Sequence, residues 1–349
     1  MYSHFCEALF KMIQRAFVPR TFAVIFAFNV AGVPLNQLSA QPQDAAGNQT
    51  EKSGYTLAHV LPHTTGYVND VLCSGDGSLL LVAGDDGRVT VWNAASGDLV
   101  RTIGSGHGPV YAVAITADGA TIAAAGYDGN IRLWSWPSGR QIRVLAGHEG
   151  WVNALAFAGN GRTLVSGGRD RAVRVWDVET GKMLHVIRYP SEVFAVAADA
   201  AGRLFASDKE NSFTIREIST AREIAQGVPG QWGIDTVLFT PNRPQLISSG
   251  YDSILWAWNI KDAKLDRRVN VEGGPIISLA TTADGTLVAA LCTGNGTVAL
   301  FDTSSWKELA RLKAVTYPVG SVTLSADGRV LAAGGGDSPV RIWYRSNVR

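Results

Sequence analysis

Residues 147–177 read GHEGWVNALAFAGNGRTLVSGGRDRAVRVWD. Between its turn signals this stretch alternates as strands do, and Asn160-Gly161 supplies the positive φ that a tight hairpin turn requires. The closing VRVW at Trp176 returns along the chain as VTVW at Trp92, IRLW at Trp134, FTIR at Arg216, LWAW at Trp258, VALF at Phe301 and VRIW at Trp343. Successive copies lie 42, 42, 40, 42, 43 and 42 residues apart. A period this even is the signature of a repeat architecture rather than of seven unrelated hairpins.

Two further turns keep the same period. Six residues before each aromatic position stands Asp86, Asp128, Asp170, Glu210, Asp252, Asn295 or Asp337, so a short polar or acidic residue recurs at one turn. Upstream comes a second turn, seen as Asp76-Gly77, Asp118-Gly119, Asn160-Gly161, Ala201-Gly202, Asn242-Arg243, Asp284-Gly285 and Asp327-Gly328. A third follows the aromatic position by five residues, with Gly97, Gly139, Gly181, Ala221 and Ala263, and with Trp306 as the outlier. Each unit therefore reads as four short strands joined by three turns.

Four such strands cannot bury both faces alone, whereas radial stacking covers every face and leaves only brief edges. The expected fold is all-β: a closed seven-bladed β-propeller of four-stranded antiparallel blades. The last repeat ends just beyond its third strand, and an apolar segment, 55–61, precedes the first repeat. That segment is expected to supply the missing outer strand of the last blade, closing the ring with the N-terminal strand.

Composition agrees. The 349 residues are 46% hydrophobic and only 17% charged, enough apolar material for a large core, and 38 Gly beside ten Trp suit many tight turns around well-packed rings. The net charge of +1 does not point to nucleic acid, and the three cysteines, Cys6, Cys73 and Cys292, form neither a disulfide framework nor a C-x-x-C or C-x-x-C-H motif. Ahead of the repeats, Lys11 to Arg20 is basic, 21–35 mostly apolar, and Leu38-Ser39-Ala40 offers a small residue before Gln41. This reads as an export signal over 1–40, with Met12 as an alternative start, followed by a flexible polar linker over 41–54 and the propeller over 55–349. The apolar run is too short and too broken by Asn29, Gly32 and Pro34 to span a membrane once the signal is cleaved, so a periplasmic or secreted, monomeric protein is expected.

Gly106-His107, Gly147-His148, the recurring turn acid and VRVWD at 173–177 together resemble the WD40 repeat, and the resemblance covers about 85% of the chain. It implies a series of hydrogen bonds within a blade, from a His through a hydroxyl and the turn Asp to the Trp. Only the third repeat, with His148, Ser166, Asp170 and Trp176, carries all four. The second has Ala124 in place of the hydroxyl and the fourth has Arg216 in place of Trp, so the fourth and sixth blades are expected to pack least well.

The resemblance also implies a non-catalytic scaffold that meets a protein or peptide partner on the face carrying the turn-acid loops. The residue before the turn acid and two positions at the start of the first strand are the ones implied to contact it. They place Tyr111, Tyr127, Trp151, Asn153, Arg169, Phe194, Lys209 and Tyr251 in consecutive blades, rich in the Tyr, Trp and Arg that binding hot spots favour. The last two blades offer mostly Gly and Pro there. The alternatives are an enzyme or redox subunit with its site in the axial funnel, and a carbohydrate or cell-wall binding module. No phosphate-loop, hydrolase or zinc-protease motif is present, and His59 and His63 flank Pro62 in an extended segment unsuited to one metal, so neither metal nor cofactor is expected.

Overall fold

In the computed structural model, residues 54–62, 66–104, 108–159, 161–209, 211–229, 233–314, 320–336 and 338–346 are described. Residues 1–53, over which an export signal and a linker were expected, His63, His107, Asn160, Glu210, Pro318, Asp337 and the side chain of Lys209 lie outside them. The described strands, β1 to β28 in chain order, form seven four-stranded antiparallel sheets. Blades 1 to 6 each use four successive strands, covering 68–104, 110–145, 152–188, 196–227, 236–270 and 276–313.

The seventh blade is composite. Its sheet runs β26 (Ser321–Leu324), β27 (Val330–Gly335), β28 (Ser338–Arg345) and then β1 (Tyr55–Val60), the first strand of the chain. Tyr55 stands opposite Arg345 and Leu57 opposite Trp343, and the Tyr55 hydroxyl donates to the Gly328 carbonyl at 2.5 Å. The innermost strands are β2 (Val68–Cys73), β6 (Val110–Ile115), β10 (Val152–Phe157), β14 (Val196–Ala198), β18 (Thr236–Thr240), β22 (Ile276–Thr281) and β26. Each touches the next, and β26 touches β2, so the ring is closed.

The repeating turns explain why such varied sequences make equivalent blades. Gly97, Gly139 and Gly181 hold positive φ in the third turn, and Ala221, Ala263 and Trp306 hold the same conformation at 57°, 49° and 57°. Trp306 is thus no exception to the backbone, and its ring is 8% exposed in the core shared by blades 5 and 6. A non-glycine residue in this conformation costs about 1–2 kcal/mol, which that burial offsets.

A second periodic device ties blades together at their outer strands. His59 donates from Nε2 to the Ala95 carbonyl at 2.9 Å, and Arg143 donates to the carbonyls of Thr180 and Glu179 at 3.1 and 2.6 Å. His185 donates to the Ser219 carbonyl at 3.0 Å. Arg101 lies over Gly139, where an added Cβ would come within 2.6 Å of its Cδ. His59, Arg101, Arg143 and His185 are 42 residues apart, so each of these four outer strands reaches across to the third turn of the following blade.

Of the two blades expected to be weak, the fourth is shortened, its inner strand being Val196–Ala198. Blade 6 is not: its strands are all six residues long and Leu287–Cys292 is buried throughout. Cys73 and Cys292 are buried free thiols in blades 1 and 6.

Candidate functional site

The loop face is built on the pinned turn acids. In blade 3 the Trp176 indole donates to Ser166 Oγ at 2.9 Å, Ser166 lies 2.8 Å from His148 Nε2, and His148 Nδ1 lies 2.9 Å from Asp170 Oδ1. With His148 neutral and its proton on Nδ1, donors and acceptors run one way, from indole to hydroxyl, hydroxyl to Nε2 and Nδ1 to carboxylate; Arg174 Nη1 also stands 2.7 Å from that Nδ1. Burial, the largest influence, lowers the His148 pKa, which suits this neutral form. Arg174 completes the group, donating to Asp170 Oδ2 at 2.5 Å from a side chain only 3% exposed.

Arg174 was not legible as part of this series, although its position repeats. The residue four after the turn acid is Arg132 in blade 2, bonded to Asp128 at 2.6 Å, and Trp256 in blade 5, whose indole donates to Asp252 at 2.7 Å. Blades lacking the His find other partners. Trp92 donates to Thr90, Trp258 to Ser248, and in blade 4 the Tyr189 hydroxyl joins Ser207 at 2.8 Å and Thr214 at 2.7 Å beside Arg216.

On this frame a backbone hydrogen bond places the loop positions side by side. Tyr127 N–H donates to the Pro109 carbonyl and Arg169 N–H to that of Trp151, at 2.9 and 2.8 Å. The result is one continuous cluster. Trp151 is its centre, with ring centroids 5.5 Å from Tyr111 and 5.3 Å from Tyr127, and with the Arg169 guanidinium 4.3 Å from its own ring centroid. Arg169 Nε in turn donates to Glu192 at 3.0 Å, so the cluster runs from blade 2 through blade 3 to the approach of blade 4. Tyr127 remains 51% exposed, and Gly108 is held at φ +92° against its ring, where a Cβ would lie 3.0 Å away. Burial pushes the half-buried Tyr111 phenol up to about 12, so the cluster carries a neutral phenol at any working pH.

Of the other sequence-derived positions, Asn153 spans a blade junction, its amide donating to the Val193 carbonyl at 3.0 Å. Phe194 is half-buried, and its N–H donates to the carboxylate of the buried Asp208 at 2.8 Å. Tyr251 stands on blade 5, 47% exposed, and the Lys209 side chain is outside the described residues. The geometry therefore joins Tyr111, Tyr127, Trp151 and Arg169, adds Glu192 as the counter-charge, and gives Asn153 a junction role. Among the described residues no group of three or more His, Cys, Asp or Glu is placed to hold a metal ion, and no helix is long and apolar enough to cross a membrane.

Residues 55–93, 97–135 and 139–177 match the WD domain, G-beta repeat. Each match starts on the outer strand of one blade, or in the turn just before it, and ends on the third strand of the next, the same offset that leaves β1 to close the ring. The WD repeat-containing protein SL1-17 of Schistosoma mansoni is 33% identical over 155 residues, 43% of this chain and 50% of that protein. The WD repeat-containing protein 91 homolog of Dictyostelium discoideum is 25% identical over 115 residues, 32% of this chain and 15% of that protein. The aligned parts thus cover half or less of these curated relatives. Three WD40 repeats therefore lie within a chain whose described strands close into a seven-bladed β-propeller. Such propellers are typically non-catalytic scaffolds that bind proteins.

Proposed function

We propose that this propeller is a non-catalytic scaffold, exported from the cytoplasm, that holds a protein or peptide partner on the loop face of blades 2 to 4. The observation that carries the reading is the Trp151 cluster, in which two Tyr rings and a stacked guanidinium form one contiguous surface. Rings with few rotatable bonds offer contact area at low entropic cost, and pairing with Glu192 leaves Arg169 already positioned. The basic-then-apolar segment before Gln41 supports export to the periplasm or beyond.

An affinity pull-down from the extracytoplasmic fraction tests both parts. Wild type is compared with a Tyr127→Ala, Trp151→Ala, Arg169→Ala variant whose fold is checked by circular dichroism. A protein recovered by wild type should be lost by the variant, with affinity falling at least about 30-fold if one hot spot of roughly 2 kcal/mol is removed. Equal recovery by both, or recovery by neither, rejects the loop-face reading. Sequencing the N-terminus of the exported protein should begin at Gln41; a chain still carrying 1–40 rejects the cleavage.

A further inference from the structure

Asp70 is the only charged residue on any of the seven innermost strands. It sits on β2, half-buried, at the seam where the composite blade meets blade 1. Its Oδ1 accepts the Ser321 hydroxyl of blade 7 at 2.8 Å, and its Oδ2 accepts the Val113 N–H of blade 2 at 3.0 Å. One carboxyl group thus bridges three consecutive blades. Ser321 Oγ also lies 3.3 Å from the Val71 carbonyl, a second acceptor for its proton.

We propose that Asp70 is a proton-operated latch of the ring seam, holding blades 7, 1 and 2 together more tightly when protonated than when ionised. In the ionised state the Ser321 hydroxyl donates to Oδ1. When a proton from solvent binds Oδ1, that bond reverses: Asp70 donates to Ser321 Oγ, and the Ser321 proton turns to the Val71 carbonyl. Val113 N–H is satisfied by Oδ2 in both states. The reversal removes a charge from the inner ring without leaving a polar group unpaired.

The surroundings favour the neutral form. Burial is the largest influence and raises the carboxyl to about 6, against opposing hydrogen bonds from Val113, Ser321 and Val71. The flanking strands β6 and β26, and β27 behind β26, carry no charged residue, nor does Leu79–Gly84 behind β2. The titratable groups on the inner strands are Cys73 and Tyr111, both pushed up to about 12 and therefore neutral throughout. On the same strand the Asn69 amide donates to Asp85 at 2.8 Å. With the folded pKa above the ordinary 3.8, the folded chain binds the extra proton between about pH 4 and 6, so this group lowers stability as pH rises through that window.

Thermal and urea unfolding of the full chain at pH 5 and pH 8, for wild type, Asp70→Asn and Asp70→Ala, tests the latch. Asn copies the hydrogen bonding of the protonated group, so D70N should exceed wild type at pH 8, by up to about a hundredfold in the folding equilibrium. That gap should shrink at pH 5. D70A, which orphans Val113 N–H, should fall below D70N at both pH values. A wild-type-to-D70N difference that is the same at pH 5 and pH 8 overturns the proposal, as does a D70N chain that fails to fold.

Discussion

A chain lacking residues 55–61 is expected to lose the closed ring and aggregate. Those residues form the outer strand of the seventh blade, and Tyr55 and Leu61 are each 2% exposed. Burying two such side chains contributes roughly 3–6 kcal/mol, a large share of the ~5–15 kcal/mol by which a domain is stable. The deletion also bares the edge of β28 and the cluster around Trp343 and Leu331, the combination of unpaired backbone and apolar surface that nucleates edge-to-edge association. Size-exclusion chromatography with light scattering should find high-mass species in place of a monomer. Tyr55→Phe serves as the mild control: it removes the bond to Gly328 and should cost about 1 kcal/mol. A soluble, monomeric deletion product would show that β1 is dispensable.

Asp170→Ala should be the most damaging single substitution of a polar residue. A lost hydrogen bond alone would cost about 1–3 kcal/mol. The geometry raises that expectation, because Asp170 accepts from His148, from Glu149 N–H and from Arg174, whose side chain is only 3% exposed. Removing the acid leaves a buried cation uncompensated, which costs about 3–5 kcal/mol. Chemical denaturation measures it, and a variant within 1 kcal/mol of wild type on that scale would dissolve the assignment.

The same site predicts acid sensitivity. Burial pushes the Asp170 carboxyl up, but hydrogen bonds from His148, Glu149 and Arg174 outweigh it and hold the group well below the ordinary 3.8. Its contribution is present above that value and lost as pH falls below it. His148, lowered by burial from 6.5, refuses a proton that the unfolded chain accepts, so it too loses stability as pH falls below 6.5. Blade 3 and the Asp70 seam therefore respond to acid with opposite signs, and His148→Gln and Asp70→Asn should flatten the two opposing slopes separately.

The ring was legible because its signals are local. VRVW and its six relatives, the Asn-Gly and Asp-Gly turns and the incomplete last repeat each lie within a few residues of one another, and together they imply the strand that β1 provides. The Trp151 cluster was legible in part, since loop positions could be numbered from the turn acid. The bond from Asn153 across the blade junction was not legible, because its acceptor, the Val193 carbonyl, carries no sequence mark. The reach of Arg143 to Thr180 and Glu179 was missed for the same reason: its acceptors are backbone groups, which any residue supplies. Blade 4 was harder still, because Tyr189, 18 residues before Ser207 as His148 is before Ser166, fills the His position with a different kind of residue.

The pairing of Tyr55–Val60 with Ser338–Arg345 also sets a timetable. A ribosome adding about 5–20 residues per second needs roughly 15–60 s to make the intervening chain. Through that interval the first strand has no mate, while blades 1 to 6, each made of consecutive strands, can assemble behind it. Every molecule therefore passes through an open-ring adolescence with two sticky ends, and whatever shields those ends until the last strand arrives governs the yield of finished rings.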